Sequence, residues 1–180
     1  MQEIFSRRSI RAFNPTPVED EKLELVLSAG NYAPSAMNNQ DRQFTAIVNE
    51  SVLQALNDAI RATLDEQSIK RIEDRLGGNF HFFYGAPVLI VVSHFQDGLY
   101  PEADCACALE NMFLQAKELG LGSCWINQLN KSCDLPEIRE ILTKAGVNPA
   151  HKVFGCCALG YSDSDGILFK EKQSKIVICK

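Results

Sequence analysis

The stretch PVLIVVS at residues 87–93 constrains the fold more than any other part of the sequence. It is a continuous apolar run of strand length, with no alternation of polar residues. Such a run predicts a central strand that is buried on both faces of its sheet. It is much shorter than the roughly 18 apolar residues of a membrane span, and no other stretch approaches that length. The chain has 180 residues, of which 46% are hydrophobic and 23% charged, so we expect one globular domain over residues 1–180.

Helices and strands are predicted to alternate around this run, without a repeated βαβ unit or a glycine-rich phosphate loop. Helices are expected from the N terminus to Asn14, from a Thr16 N-cap to 30, from a Ser51 capping box to 64, and at 102–119 and 135–145. Strands are expected at 44–48, 123–126 and 153–159, with a last apolar, β-prone run at 175–179. Residues 65–79 form either an exposed helix or a mobile connection. The predicted fold class is α+β, with a small mixed or antiparallel sheet flanked by helices.

Three arginines fall within RRSIRAF at residues 7–13, although the net charge of the chain is −5. Four interpretations compete: a targeting signal, a nucleic-acid contact, a kinase recognition site, and a binding site for a small anionic ligand. A secretory signal has an apolar core after its basic start, and no such core follows these arginines. This favours a cytoplasmic protein. The acidic balance disfavours nucleic acid, and the lack of a long apolar stretch disfavours a membrane.

The seven cysteines and three histidines do not form a metal or disulfide pattern. The cysteine count is odd, there is no Cys-x-x-Cys pair, and no histidine has a metal-ligand spacing to a cysteine. We therefore expect no metal, and reduced thiols that lie mostly in the core.

Three more segments are unusual, and each also has an ordinary explanation. APSAMNNQ at 33–40 clusters amide side chains that suit the edge of a planar heterocycle, but its composition also suits a turn. GLGSCWIN at 120–127 allows close approach to a flat ligand, or is a helix C-cap that leads into a core strand. FKEK at 169–172 offers two lysines to a phosphate, or is a solvated strand edge.

In this order and spacing, the four segments resemble the nitroreductase family of FMN-dependent oxidoreductases, over essentially the whole chain. Residues 7–11 resemble the family's R-x-S-x-[RK] signature, and residues 34–40 are similar to its P-S-x-x-N-x-Q loop. Residues 120–126 resemble the strand that lines the isoalloxazine, and Lys170 and Lys172 match its K-x-[KR] pair. The chain departs from the family at Asp41-Arg42, where Pro-Trp often follows the glutamine.

The resemblance implies which residues hold FMN. Those on the phosphate side are Arg7, Arg8, Lys170 and Lys172. Those at the polar edge of the ring are Ser9, Arg11, Asn38 and Gln40. Those beside the ring are Cys124, Trp125, Ile126 and Asn127, whose backbone N–H faces N5. Those that come from a partner subunit are Pro34, Ser35 and Ala36.

The resemblance also implies an activity, which is reduction of nitroaromatic, quinone or flavin-type small molecules by NAD(P)H, in a ping-pong hydride transfer through FMN. It implies no catalytic side chain, only support of the FMN ring by Arg11 and Asn127, and a homodimer that exchanges C-terminal segments. A helix over residues 7–11 would place Arg7 and Arg11 on one face. Cys124 is expected to pack in the core rather than to act as a redox nucleophile. The alternative is a non-catalytic, phospho-regulated binding module with RRSI as its kinase site.

Overall fold

The computed structural model describes residues 2–77, 80–166 and 173–180. The helices are α1 (Glu3–Ser6), α2 (Asp20–Asn31), α3 (Glu50–Ala62), α4 (Glu66–Leu76), α5 (Pro101–Glu118), α6 (Gln128–Ser132) and α7 (Pro136–Lys144). The strands are β1 (Gln43–Ile47), β2 (Val88–Phe95), β3 (Gly122–Ile126) and β4 (His151–Gly160). Among these residues, no helix combines the length and the apolar character needed to cross a membrane.

The strands form one sheet in the order β1-β2-β4-β3, and every neighbouring pair is antiparallel. The run at 87–93 lies in β2, where all residues but Phe95 are buried, so the prediction of a central buried strand is confirmed. The α+β class with an antiparallel sheet is confirmed as well.

Helices cover both faces of the sheet because successive side chains of β2 point in opposite directions. Leu89 and Val91 pack into a core closed by α3, α6 and α7, whereas Ile90 and Val92 pack against α2 and α5. β4 carries an extra residue opposite Val92 and Ser93, and this β-bulge reverses which of its residues face each core.

α2 and α5 pack closely on one face because Gly30 lacks a side chain. A Cβ at Gly30 would lie 2.1 Å from Cε of Met112, in the middle of α5. Next to this contact, the Asn111 amide donates a hydrogen bond to the carbonyl of Ala29 (3.1 Å). α5 therefore has a fixed position between α2 and the sheet.

The predicted N-terminal helix is wrong beyond its first turn, since α1 ends before Arg7. α2 also starts later than predicted, with Glu19 rather than Thr16 as its N-cap. The cause is tertiary. The Asn14 N–H donates to the carbonyl of Tyr161 (2.8 Å), and the Tyr161 hydroxyl donates to the Glu19 carboxylate (2.6 Å), so this stretch is held in a non-helical path.

The starts of α3 and α4 are set by side-chain hydrogen bonds that the sequence pattern did not identify. Asn49, not Ser51, caps α3, because its side-chain oxygen accepts the N–H of Val52 (3.2 Å). Residues 66–76 form a helix, with Asp65 accepting the N–H of Ser68 (2.7 Å) at its start. The apolar run at 175–179 forms no strand in the single chain, and the side chains of Ile176, Val177 and Ile178 are exposed.

Two histidines are buried together where β2 and β4 meet. The rings of His94 and His151 are nearly parallel, with centroids 6.5 Å apart. Ser93 Oγ lies 3.2 Å from Nδ1 of His151. Burial lowers the pKa of His151 below its usual 6.5, as do His94 and Arg139, whereas the carboxylate of Asp41 acts in the opposite direction.

We expect the free energy of unfolding to fall as the pH drops below about 6.5. The unfolded chain protonates His151 at the usual pKa, but the folded chain resists protonation, so acid favours the unfolded state. His81, whose pKa burial also lowers, adds to the same trend. Urea titrations at a series of pH values should show a smaller pH dependence for His151→Asn, which keeps a polar atom near Ser93. Equal pH dependence in both proteins would contradict this assignment.

Candidate functional site

The N-terminal arginines lie on an extended arm beside β3, not on a helix. After α1 the chain turns to extended geometry at Arg7, Ser9 forms a parallel bridge with Ser123, and the Ile10 N–H donates to the Ser123 carbonyl (3.0 Å). The expectation of one helical face is therefore wrong. An extended segment places Arg7 and Arg11 about 13 Å apart, and their guanidiniums lie over different rings, Arg7 over Phe113 and Arg11 over Tyr84.

Cys124 of β3 lies next to this arm. The Ser9 hydroxyl bonds its side chain, and Arg7 and Arg11 both favour its thiolate, but burial outweighs them and raises the pKa of the thiol. Cys124 is buried, which agrees with its predicted packing role. Because Ser9 is engaged with both Cys124 and Ser123, its environment does not favour a kinase site.

Arg7 has an incomplete set of partners. Its guanidinium lies 5.9 Å from the centroid of the Phe113 ring, and its Nε is 3.5 Å from a carboxylate oxygen of Glu110. Nε is nevertheless buried and makes no hydrogen bond within the described part of the chain. A buried guanidinium N–H without an acceptor is costly, and it marks a place for an external acceptor.

A basic pocket of about 190 Å³ opens beside Arg7. Among the described residues that line it, the cations are Arg7, Arg8 and Lys117, the hydroxyls are Ser123, Ser162 and Ser164, and the one acid is Asp165. Cations and hydroxyls in this ratio suit a phosphate. The volume is below the usual 300–1,000 Å³ of a pocket that encloses a ligand, so the single chain would enclose only one end of a cofactor.

Both edges of the pocket depend on glycines. Gly122 allows the arm to reach β3, because a Cβ there would lie 2.9 Å from Cγ1 of Ile10. Gly166 has φ +86°, and a Cβ there would lie 2.8 Å from that of Arg8. Lys170 and Lys172 lie outside the described residues.

At the end of β3 the predicted ring-lining residues differ in exposure. Ile126 is buried, whereas Trp125 is 40% exposed and its ring lies 6.2 Å from that of Phe113. The Asn127 N–H, expected to face a flavin, donates to the side chain of Gln128 (3.2 Å).

The loop of residues 33–40 lies elsewhere on the subunit. The N–H of Ala36 donates to the carboxylate of Asp104 in the first turn of α5 (3.0 and 3.2 Å), and Asn38 and Gln40 bond each other through exposed side chains (3.2 Å). Pro34 is exposed and Ser35 half-buried, with Ser35 Oγ accepting the N–H of Gln40 (3.1 Å).

The structure therefore brings the arm and β3 together and leaves the loop apart. The loop is attached at Asp104, whereas Arg7 meets α5 at Glu110, about 9 Å further along the helix axis. The sequence analysis missed Lys117, Ser162 and Ser164, and also Arg42 and Asp104 near the loop. No local pattern in the sequence indicates any of them.

The fold and this basic pocket define a small α+β protein with a candidate site for a phosphorylated ligand. The model of the nitroreductase family matches residues 4–161, and the chain belongs to that family. A nitroreductase with bound FMN from Bacteroides fragilis is 42% identical, with 99% of this chain and 97% of that one covered and a TM-score of 0.87. One with bound FMN from Desulfitobacterium hafniense is 25% identical, with the same coverage and TM-score. A protein from Archaeoglobus fulgidus, named for NADH dehydrogenase/NAD(P)H nitroreductase activity, is 28% identical over 89% of this chain and 84% of its own length.

We expect Cys124 to react slowly with a thiol reagent in the native protein, because burial both shields it and raises its pKa. Cys107 and Cys179 are exposed, and the other five cysteines are buried. The double variant Cys107→Ser/Cys179→Ser should lose any fast phase of reaction with Ellman's reagent. A fast phase that persists there and disappears when Cys124→Ala is added would show that Cys124 is a reactive thiol.

Proposed function

We propose that this protein is an FMN-dependent oxidoreductase that uses NAD(P)H to reduce small nitroaromatic, quinone or flavin-type acceptors. The observation that carries the proposal is the buried Nε of Arg7, which lacks a hydrogen-bond acceptor beside a pocket of cations and hydroxyls. Family membership and the FMN-bound relatives support the choice of ligand. The name of the Archaeoglobus fulgidus relative supports NAD(P)H as the electron donor.

We propose that the whole chain forms one domain that brings its two ends to this pocket. The Ser162 hydroxyl donates to the Ala12 carbonyl (2.7 Å), and Asn14 pairs with Tyr161. Seven cysteines without a disulfide fit the reducing conditions of the cytoplasm, where we place the protein.

The residues present fit the phosphate end of FMN. Arg7 offers a free N–H, Arg8 and Lys117 add positive charge, and Ser162 and Ser164 offer hydroxyl donors. We propose that Lys170 and Lys172 complete this group, because they follow Gly166 by four and six residues in the sequence, and Gly166 packs against Arg8.

The residues along the rest of the arm and β3 would bind the ring. Ser9 bonds the side chain of Cys124, and Arg11 is exposed, with its guanidinium 6.0 Å from the Tyr84 ring centroid. Cys124, Trp125, Ile126 and Asn127 follow along β3. The bound FMN supplies the hydride transfer, from NAD(P)H and then to the acceptor in a ping-pong sequence. The chain supplies orientation and the positive charge of Arg11, which favours a more negative ring.

We further propose a homodimer in which Pro34, Ser35, Ala36, Asn38 and Gln40 serve the partner's flavin. The side chains of Asn38 and Gln40 are exposed and bond each other, so they are open to contact with a second subunit. Exposed apolar side chains lie around a groove between α1, α2 and α5, among them Leu25 and Tyr32. Such a face is typical of a subunit interface.

Titration of the flavin-free protein with FMN tests the proposed function. We expect quenching of Trp125, the only tryptophan, and a yellow protein that NADH or NADPH bleaches. Arg11→Ala should weaken FMN binding about tenfold and make its midpoint potential more negative, because a cation near the ring is lost. Arg71→Ala, an exposed arginine on α4, is the matched control. A wild-type protein that neither quenches nor turns yellow with FMN would overturn the proposed function, and an unchanged potential in Arg11→Ala would remove the role of Arg11.

Removal of the C-terminal segment tests the proposed exchange. A chain that ends at Gln173 keeps Lys170 and Lys172 but lacks the exposed apolar side chains of 176–178. We expect it to lose dimerisation and FMN together, because the interface and the site are shared. Ile178→Asp in the full chain should act in the same direction, and Lys180→Ala should not. Light scattering that shows a truncated monomer with stoichiometric FMN would contradict the shared site.

A further inference from the structure

This chain departs from the family motif at Asp41-Arg42, and there Arg42 forms hydrogen bonds with the loop of residues 33–40. Arg42 stands one residue before β1 and directs its guanidinium back at the loop of residues 33–40. Nη2 donates to the carbonyl of Ala33 (2.8 Å), and Nη1 donates to those of Pro34 (3.0 Å) and Asp104 (3.1 Å). One side chain thus ties the loop to the first turn of α5.

Asp104 holds the same loop from the opposite side. It is 5% exposed, and both of its carboxylate oxygens accept the N–H of Ala36. Arg42 therefore binds the loop through its carbonyls, and Asp104 binds it through an N–H. We call this pair of side chains the loop clamp.

The loop needs such support because its backbone is unfavourable. Met37, Asn38 and Gln40 have φ values of +51°, +57° and +58°, and none of them is glycine. Left-handed geometry is disfavoured for residues with a Cβ, and for Met37 and Gln40 more than for Asn38. Without the clamp, we expect these residues to relax toward other conformations.

We propose that Arg42, together with Asp104, is a positioning residue that presents Asn38 and Gln40 to the flavin. This inference rests on the proposed function. Among the described residues, the hydrogen bonds of Arg42 go to backbone carbonyls of the loop and of α5, and its guanidinium lies 6.0 Å from the centroid of the Phe44 ring. Arg42 therefore acts on the shape of the loop and not on the flavin itself. Its removal should weaken FMN binding, and it should shift the redox potential of the bound flavin less than Arg11→Ala does, because hydrogen bonds of Asn38 and Gln40 to the ring are weakened but no charge beside the ring is lost.

The branched guanidinium is the property of arginine that lysine cannot replace at position 42. Its two terminal nitrogens reach three carbonyls in fixed directions, whereas the single nitrogen of a lysine does not span them. Arg42→Lys keeps the charge and tests the geometry. Asp104→Asn keeps one acceptor for Ala36, whereas Asp104→Leu removes both.

Hydrogen exchange of the flavin-free protein tests the clamp directly. Peptides that cover residues 33–40 should exchange faster in Arg42→Lys and Asp104→Leu, and close to wild type in Asp104→Asn. Arg139→Lys is the matched control, because Arg139 is also partly buried but pairs with Asp134, away from the loop. Unchanged exchange in Arg42→Lys would overturn the inference.

FMN titration and potentiometry then test the link to the flavin. We expect Arg42→Lys to raise the dissociation constant of FMN about tenfold, with the thermal midpoint of the flavin-free protein close to that of Arg139→Lys. Equal FMN affinity in wild type and Arg42→Lys would overturn the positioning role, as would a shift of the midpoint potential as large as that of Arg11→Ala. If the wild-type protein binds no FMN although the exchange result holds, the proposed function fails and the clamp itself stands.

Discussion

The burial of β2 on both faces is the constraint on which the rest of the structure depends. A strand without a solvent-facing side must be covered by helices above and below, and its backbone must be paired on both edges. β1 and β4 provide the pairing, and α5 on one face and α3 with α6 on the other provide the cover. β4 in turn pairs with β3, whose other side receives the N-terminal arm. The candidate site lies at the β3 edge of the sheet, beside the N-terminal arm.

α5 connects the two halves of the candidate site. Its first turn holds the loop through Asp104, its middle meets Arg7 through Glu110 and Phe113, and its last turn adds Lys117 to the basic pocket. A helix packed against both the sheet and α2 is rigid, so the distance between these groups is fixed. In this arrangement the fold itself sets the spacing between the phosphate end of the site and the loop.

The sequence predicted regular elements well where a local pattern is strong. The apolar run of β2 and the apolar stripe of α5 are stable only when they are buried in the core. Both elements form where expected. The prediction failed for residues 7–19, where a short helical propensity competes with contacts far along the chain. A four-residue helix is marginal on its own, so pairing with Ser123 and Tyr161 decides the conformation.

The sequence by itself determined the family, the α+β class and the residues from which a flavin site would be built, because these depend on residue types in a fixed order. Only the tertiary structure decided how those residues are grouped. It placed Arg7, Ser9 and Arg11 on an extended arm beside β3, left the Nε of Arg7 without a hydrogen-bond acceptor among the described residues, and joined Arg42 to Asp104 across 62 positions of the chain. No local pattern encodes such pairings, because the partners meet only after the sheet and α5 have formed.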